Sequence, residues 1–508
     1  MFDLDQFSAQ DEEHFREHWM YTPYFMAAAR RNIPIVLGAK GSGKSALLRY
    51  LTQLQSESDI TYPGLDLTEF RHERVRSQVR ALVGELSIDD GMLLANYWRH
   101  LFLLHCMHDV SVRVNPSDER EQNALETIRS VLARNAIEPK AHDTLLGYLI
   151  RAKRYLDECL LRREPAAEPP LRGGLTRLEL SRLENLPDDD EFTAACLAAA
   201  GLLVGDRRHV CLVVDGLDRV KESDHEAHAF VLNTIINAVR HIARDQSLKH
   251  AFSVKVLVPR ELFLAVSDRD MDQYGGMQAH LHWDPESLTS LLERRLAAAC
   301  QRAGGKADTK LSDLLPEMLP NGQLTLEFLI RHTMYRPRQL LMYAKAIAES
   351  ARWQVSPPAQ WQKPVGETII KHVVSVSIEA SDLFIREYAL KFPMLKEMLD
   401  SLAGLTNVTT LNSLEARLRG KQGLRLSALY ECGALGIVQL MVPGSSQDPS
   451  ACYQIINGQK RPIDCEFSYK ATSRPSWIPD LPGETLVAIH PMLTRHCRVN
   501  VDPDFVIG

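Results

Sequence analysis

Short unbroken apolar runs alternate with longer stretches whose apolar positions recur at helical spacing. The first run, residues 33–37, reads as a buried strand, with Pro34 confined to its first positions because it cannot donate to a ladder. Leu47, Leu48 and Leu51 then mark one face of a helix. Residues 211–214 are apolar and β-branched, the signature of a core parallel strand. The next helix carries Leu232, Ile235, Ile236, Val239 and Ile242 on one face. Residues 253–262, "SVKVLVPREL", form another buried strand that ends at Arg260. In "HLHWDPESLTSLLERRL", residues 280–296, the pattern predicts a short strand and a helix with Asp284 as N-cap and Pro285 at N1.

This alternation implies a parallel α/β sheet within residues 1–284. The pattern also predicts a helical stretch before the first strand, beside the aromatic patch at residues 19–25. A mostly helical insertion follows at about 67–200, broken by a Pro/Gly-rich surface loop at 162–174. Residues 285–378 read as all-helical. From 379 to 508, two or three helices lead into short strands within 436–442, 452–456 and 485–490, the order of a winged helix. No internal repeat is present.

The loop after the first strand changes this from a fold reading to a chemical one. Gly38, Ala39, Lys40, Gly41, Ser42, Gly43, Lys44 and Ser45 fit G-x-x-x-x-G-K-[ST] at every fixed position, between a strand and a helix. Its glycines accept positive φ and turn N–H groups inward. The helix start, through Ala46, adds partial positive charge. Lys44 is expected to reach the β- and γ-phosphates of ATP and Ser45 to ligate Mg2+. Asp215, ending the 211–214 strand, is the expected second holder of Mg2+, since a carboxylate there is costly without a cation. Asp218 either polarises the attacking water or serves the turn. Arg260 reads as a γ-phosphate sensor or a strand-end ion pair. Arg336 and Arg338 flank Pro337 at a helix start, where one reaches the phosphates or both cap the helix.

The chain has 508 residues, 45% hydrophobic and 24% charged, with a net charge of −6. That length fits about three domains. The acidic balance gives no global pull toward nucleic acid. Arg417, Arg419, Lys421 and Arg425 form a local basic cluster, and regulatory packing is the preferred reading of that module over DNA binding. The nine cysteines include no C-x-x-C pair, which suits a reducing cytoplasm and argues against zinc. His100, His105, Cys106 and His108 lie on an apolar helical stretch and read as packed or surface groups. The start of the chain has no signal-peptide pattern, and no apolar stretch is long enough to cross a bilayer.

"GAKGSGKSALL", "CLVVDGLDRV", "VLVPREL", "HWDPESLTSLLERRL" and "YRPRQLLMYAKAI" occur in that order. Together they resemble bacterial P-loop ATPases of the AAA+/STAND type. The resemblance covers roughly residues 20–65 and 205–350 and hardly touches 66–200. It implies a P-loop NTPase sheet, here with a large helical insertion, a helical lid and a C-terminal winged helix. "DGLD" resembles the Walker B of NACHT-type ATPases, although Arg219 replaces the usual acidic residue and implies slow hydrolysis. Arg260 resembles their sensor 1, and "RPRQ" a lid motif. NACHT-type winged helices set a histidine against the β-phosphate, a part that His490 takes unless it is an ordinary packed histidine.

The expected activity is an ATP- and Mg2+-dependent switch that gates homo-oligomer assembly or a separate effector protein, in the setting of phage defence. The alternatives are a DNA-associated ATPase similar to origin-recognition or transposition proteins, and a nucleotide-binding scaffold with little turnover.

Overall fold

The computed structural model describes residues 19–53, 59–67, 90–135, 190–217, 225–260, 262–263, 276–305, 310–353, 363–389, 391–418, 426–438, 454–456, 459–461, 465–467 and 483–501. The chain divides into two compact units. One comprises residues 23–38 and 44–281, the other residues 1–22, 39–43 and 282–508.

The first unit is built on six parallel strands: β1 Ile35–Gly38, β2 Ile60–Thr61, β3 Gly64–Asp66, β4 His209–Asp215, β5 Phe252–Pro259 and β6 Gln278–His280. Their order is β2-β4-β5-β1-β6, with β3 following β2 along the same edge of β4. Every residue of β1 and β4 is buried, as unbroken apolar runs require when both faces of a parallel sheet are covered. After β1 the chain crosses to the far edge, returns through β4 and β5, and then passes over β1 to β6. β1 is therefore where the connections change direction, the place where open parallel sheets hold ligands at the strands' carboxyl ends.

Around the sheet run α1 Pro23–Ala29, α2 Lys44–Gln53, α3 Asp90–Arg113, α4 Glu119–Asn135, α5 Asp190–Gly205 and α6 His225–Arg244. The five apolar residues expected on one face of α6 are all buried. α3 packs on α6, where Trp98 Nε1 donates to Thr234 Oγ1 at 3.1 Å. The described part of the expected insertion is helical. His100 belongs to its core, stacked on Phe192 at 4.2 Å between centroids. The Pro/Gly loop at 162–174 lies outside the described residues.

Pro34 precedes β1 and takes part in the sheet through its carbonyl alone, accepting from Val256 N at 2.8 Å. Behind it, the fully buried ammonium of Lys255 on β5 donates to the carbonyls of Ala28 (2.7 Å), Arg30 (3.0 Å) and Ile33 (2.5 Å). A buried cation is tolerable when its three protons are all used. This one ties the end of α1 and the approach to β1 to the neighbouring strand β5.

The second unit contains α7 Pro285–Arg302, α8 Leu311–Leu314, α9 Thr325–Arg331, α10 Pro337–Ser350, α11 Gly366–Tyr388, α12 Leu395–Asp400, α13 Leu411–Leu418 and α14 Leu426–Glu431. Asp284 caps α7 as expected, its Oδ1 accepting from Ser287 N at 2.7 Å with Pro285 at N1. Four short antiparallel strands follow one another across a sheet in the order Cys465–Phe467, Leu435–Val438, Leu486–Ile489, Val408–Thr410.

The expected boundary at 378/379 falls inside α11. Its Ala380, Phe384 and Tyr388 share one core with Leu399, Leu429, Leu435 and Ile489. No helix among the described residues is long and apolar enough to cross a membrane.

Candidate functional site

In the first unit, β1 ends at Gly38 and α2 begins at Lys44. The Lys44 ammonium is buried, 6% exposed, and donates to the Gly38 carbonyl at 2.9 Å. Ser45 Oγ donates to Asp215 Oδ2 at 2.8 Å. These two residues are 170 positions apart in the chain and meet because β4 and β1 are parallel, with only β5 between them. Asp215 is itself 6% exposed.

Two further polar groups end neighbouring strands. Pro259 pairs with Gly38, and Arg260, half-buried, follows it. Asp66 on β3 is the register partner of Asp215 and is exposed, and Leu67 N donates to the Asp215 carbonyl at 3.0 Å. Register partners on parallel strands project from the same face of the sheet.

In the second unit, residues 39–43 form a tight turn in which Ser42 N donates to the Ala39 carbonyl at 3.0 Å. Gly41 and Gly43 have φ of +81° and +99°, which side chains larger than hydrogen resist. Gly41 is also constrained by space, since a Cβ there would lie 2.9 Å from Arg338 Cβ. Arg338 N approaches the Gly41 carbonyl at 3.4 Å. Trp283, buried, donates its indole N–H to the Ser42 carbonyl at 2.8 Å.

The two arginines around Pro337 separate in role. Arg336 is buried and ion-paired with Glu387, whereas Arg338 is exposed beside Gly41. His490 is fully buried. Its Nδ1 accepts from Met492 N at 3.2 Å, capping the turn Pro491–Leu493, and its ring stands edge-on to Phe467 at 5.1 Å. That is a packing role within the C-terminal sheet. Asp218 and Arg219 lie outside the described residues, as do Arg419, Lys421 and Arg425.

Residues 286–357 match the model of the FunZ-associated C-terminal helical domain. The match spans α7 to α10, begins three residues after Trp283 and includes Arg338. No curated protein matches the chain.

Two residues of this arrangement are missed by the sequence reading. Asp66 ends a three-residue strand too short for a periodic signal, and only its register with Asp215 gives it weight. Trp283 falls inside a stretch that reads naturally as a helix cap. A hydroxyl and a carboxylate within hydrogen-bond distance, beside a buried ammonium, are hard oxygen donors suited to Mg2+ and a phosphate. The described residues hold no cluster of three or more His, Cys, Asp or Glu able to bind a metal by themselves.

Proposed function

We propose that this chain is an ATP-binding and ATP-hydrolysing switch of the AAA+/STAND kind, with a P-loop NTPase sheet, a helical lid and a winged-helix module. The observation that carries the reading is the Ser45–Asp215 hydrogen bond. It joins the end of the G-x-x-x-x-G-K-S loop to a carboxylate at the carboxyl end of a parallel strand, two places along the sheet from the strand where the connections reverse. Neither the motif nor the strand-end carboxylate alone supports the reading as strongly.

In this reading Lys44 exchanges its Gly38 carbonyl for phosphate oxygens, and the loop's N–H groups hold the remaining charge. Ser45 and Asp215 hold Mg2+, which neutralises charge on the β- and γ-phosphate oxygens when bound. Asp66 or Asp218 orients the water, and Arg260 and Arg338 answer to the γ-phosphate. Loss of the γ-phosphate then releases Arg338, and with it the helical segment that follows Pro337. The resemblance adds the gated partner, other copies of this chain or a separate effector, and the setting of phage defence.

Purified protein with MgATP tests the reading. The expected result is saturable hydrolysis that Lys44→Ala removes. Turnover that Lys44→Ala leaves intact would exclude the loop from the activity.

A further inference from the structure

We infer that Trp283 is a positioning residue of the phosphate loop, setting the Gly43 N–H toward the phosphates by holding the Ser42 carbonyl from the other side. The inference rests on the nucleotide reading above. The peptide joining Ser42 to Gly43 is planar and trans, so its N–H points opposite to its carbonyl. That carbonyl accepts from the Trp283 indole at 2.8 Å. The Gly43 N–H is thereby turned away from the indole. The Ser42 N–H is already committed to the Ala39 carbonyl at 3.0 Å.

Little else fixes this peptide. The Ser42 hydroxyl is buried and has no hydrogen-bond partner among the described residues, so the side chain does not anchor the residue. Gly43, at φ +99°, has no side chain to restrict it. A glycine-flanked peptide is free to flip unless a donor holds it.

Trp283 itself is rigidly placed. It is 5% exposed and directly precedes the Asp284 cap of α7. An indole has one N–H and no acceptor, so its hydrogen bond is a fixed, one-directional pin. Preorganised N–H donors spend no binding energy on ordering when an anion arrives, and a peptide free to flip must be ordered at each binding event.

The full chain labelled with 15N at its six tryptophan indoles tests this, with MgADP as the probe. Trp283→Phe keeps an aromatic ring and removes only the pinning N–H. Its missing signal identifies Trp283 in the parent spectrum. We expect that signal to be protected from solvent exchange and to shift as MgADP saturates the parent. We expect Trp283→Phe to bind MgADP about tenfold more weakly, the effect of leaving one buried acceptor unpaired. Two results overturn the inference: parental affinity in Trp283→Phe, or a Trp283 signal that saturating MgADP does not move. If Trp283→Phe does not fold, the parent decides, since six indole signals all unmoved by bound MgADP also overturn it. A parent that binds neither MgADP nor MgATP overturns the nucleotide reading, and this inference with it.

Discussion

Ser45 Oγ and Asp215 Oδ2 lie 2.8 Å apart, although 170 residues separate them in the chain. A cation held here would take these two oxygens as ligands, with the Ser45 hydroxyl keeping its proton and turning it away from Asp215. Asp215→Ala should therefore raise the Mg2+ concentration needed for half-maximal ATP hydrolysis by about tenfold or more, the effect of losing one charge-assisted ligand. Ser45→Ala should move it in the same direction. A Mg2+ titration that coincides with the parent's in both variants would place the cation elsewhere.

Asp66 and Asp218 compete for one role. Asp66 is the register partner of Asp215 and is open to solvent. Asp66→Asn keeps the size of the side chain and removes its capacity to take a proton. If Asp66 orients the water, this variant binds MgATP with parental affinity and hydrolyses it at least tenfold more slowly, while Asp218→Asn stays within a few-fold of the parent. The reverse pattern assigns the role to Asp218. Single-turnover rates with radiolabelled ATP read both.

Arg338 contacts the 38–45 loop at Gly41 and is exposed, unlike its buried neighbour Arg336. Arg338→Ala should leave ADP affinity near the parental value and weaken ATP binding by about 1.5–3 kcal/mol, the range of one charge-assisted bond. It should also erase the difference between ATP- and ADP-bound protein in limited proteolysis. A variant that keeps a nucleotide-dependent cleavage pattern would reduce Arg338 to a helix residue. Gly41→Ala probes the same contact from the loop. Its φ of +81° and the 2.9 Å approach to Arg338 Cβ predict loss of nucleotide binding in a protein that still folds, read by thermal denaturation with and without MgATP.

His209, the first residue of β4, provides a test of the sheet independent of any ligand. Its Nδ1 donates to the His250 carbonyl at 3.0 Å, and its Nε2 accepts from Ser253 Oγ at 2.8 Å. Burial pushes its pKa down from 6.5 to about 4, so the folded state holds the neutral ring. The unfolded chain then binds the extra proton between pH 6.5 and 4. Stability is full above pH 6.5 and falls as pH drops toward 4, by up to about 3 kcal/mol from this residue. His209→Gln keeps one donor and one acceptor without titrating. Urea denaturation of the variant across that window should show a shallower pH slope than the parent. Equal slopes would mean that His209 does not contribute to it.

Three of the six parallel strands, β1, β4 and β5, were legible because they are largely apolar runs, and they fall where those runs predict. The Asp284 cap was legible because Asp-Pro has few other uses before an apolar helical face. The pairing of Ser45 with Asp215 was legible as chemistry, since both residues belong to recognisable strand-end patterns. Register was not. Asp66 gains meaning only from its pairing with Asp215, and no local pattern in a three-residue strand encodes a partner about 150 residues away. His490 shows a different ambiguity. A histidine after a strand fits a phosphate contact and a cap equally well on paper, and the core around Phe467 and Met492 gives it the cap. The boundary expected at 378/379 falls inside α11, whose Ala380, Phe384 and Tyr388 join the core around Leu429, Leu435 and Ile489.

The loop at Lys44 and the carboxylate at Asp215 are proposed to hold one nucleotide. Isothermal titration with MgATP on the parent, Lys44→Ala and Asp215→Ala tests this. One site per chain is expected in the parent. Binding should be at least tenfold weaker in Lys44→Ala, where the buried phosphate charge loses its ammonium. Removing Mg2+ should weaken the parent but leave Asp215→Ala almost unchanged. Parental MgATP affinity in both variants, or no binding by a folded parent, would contradict the proposal.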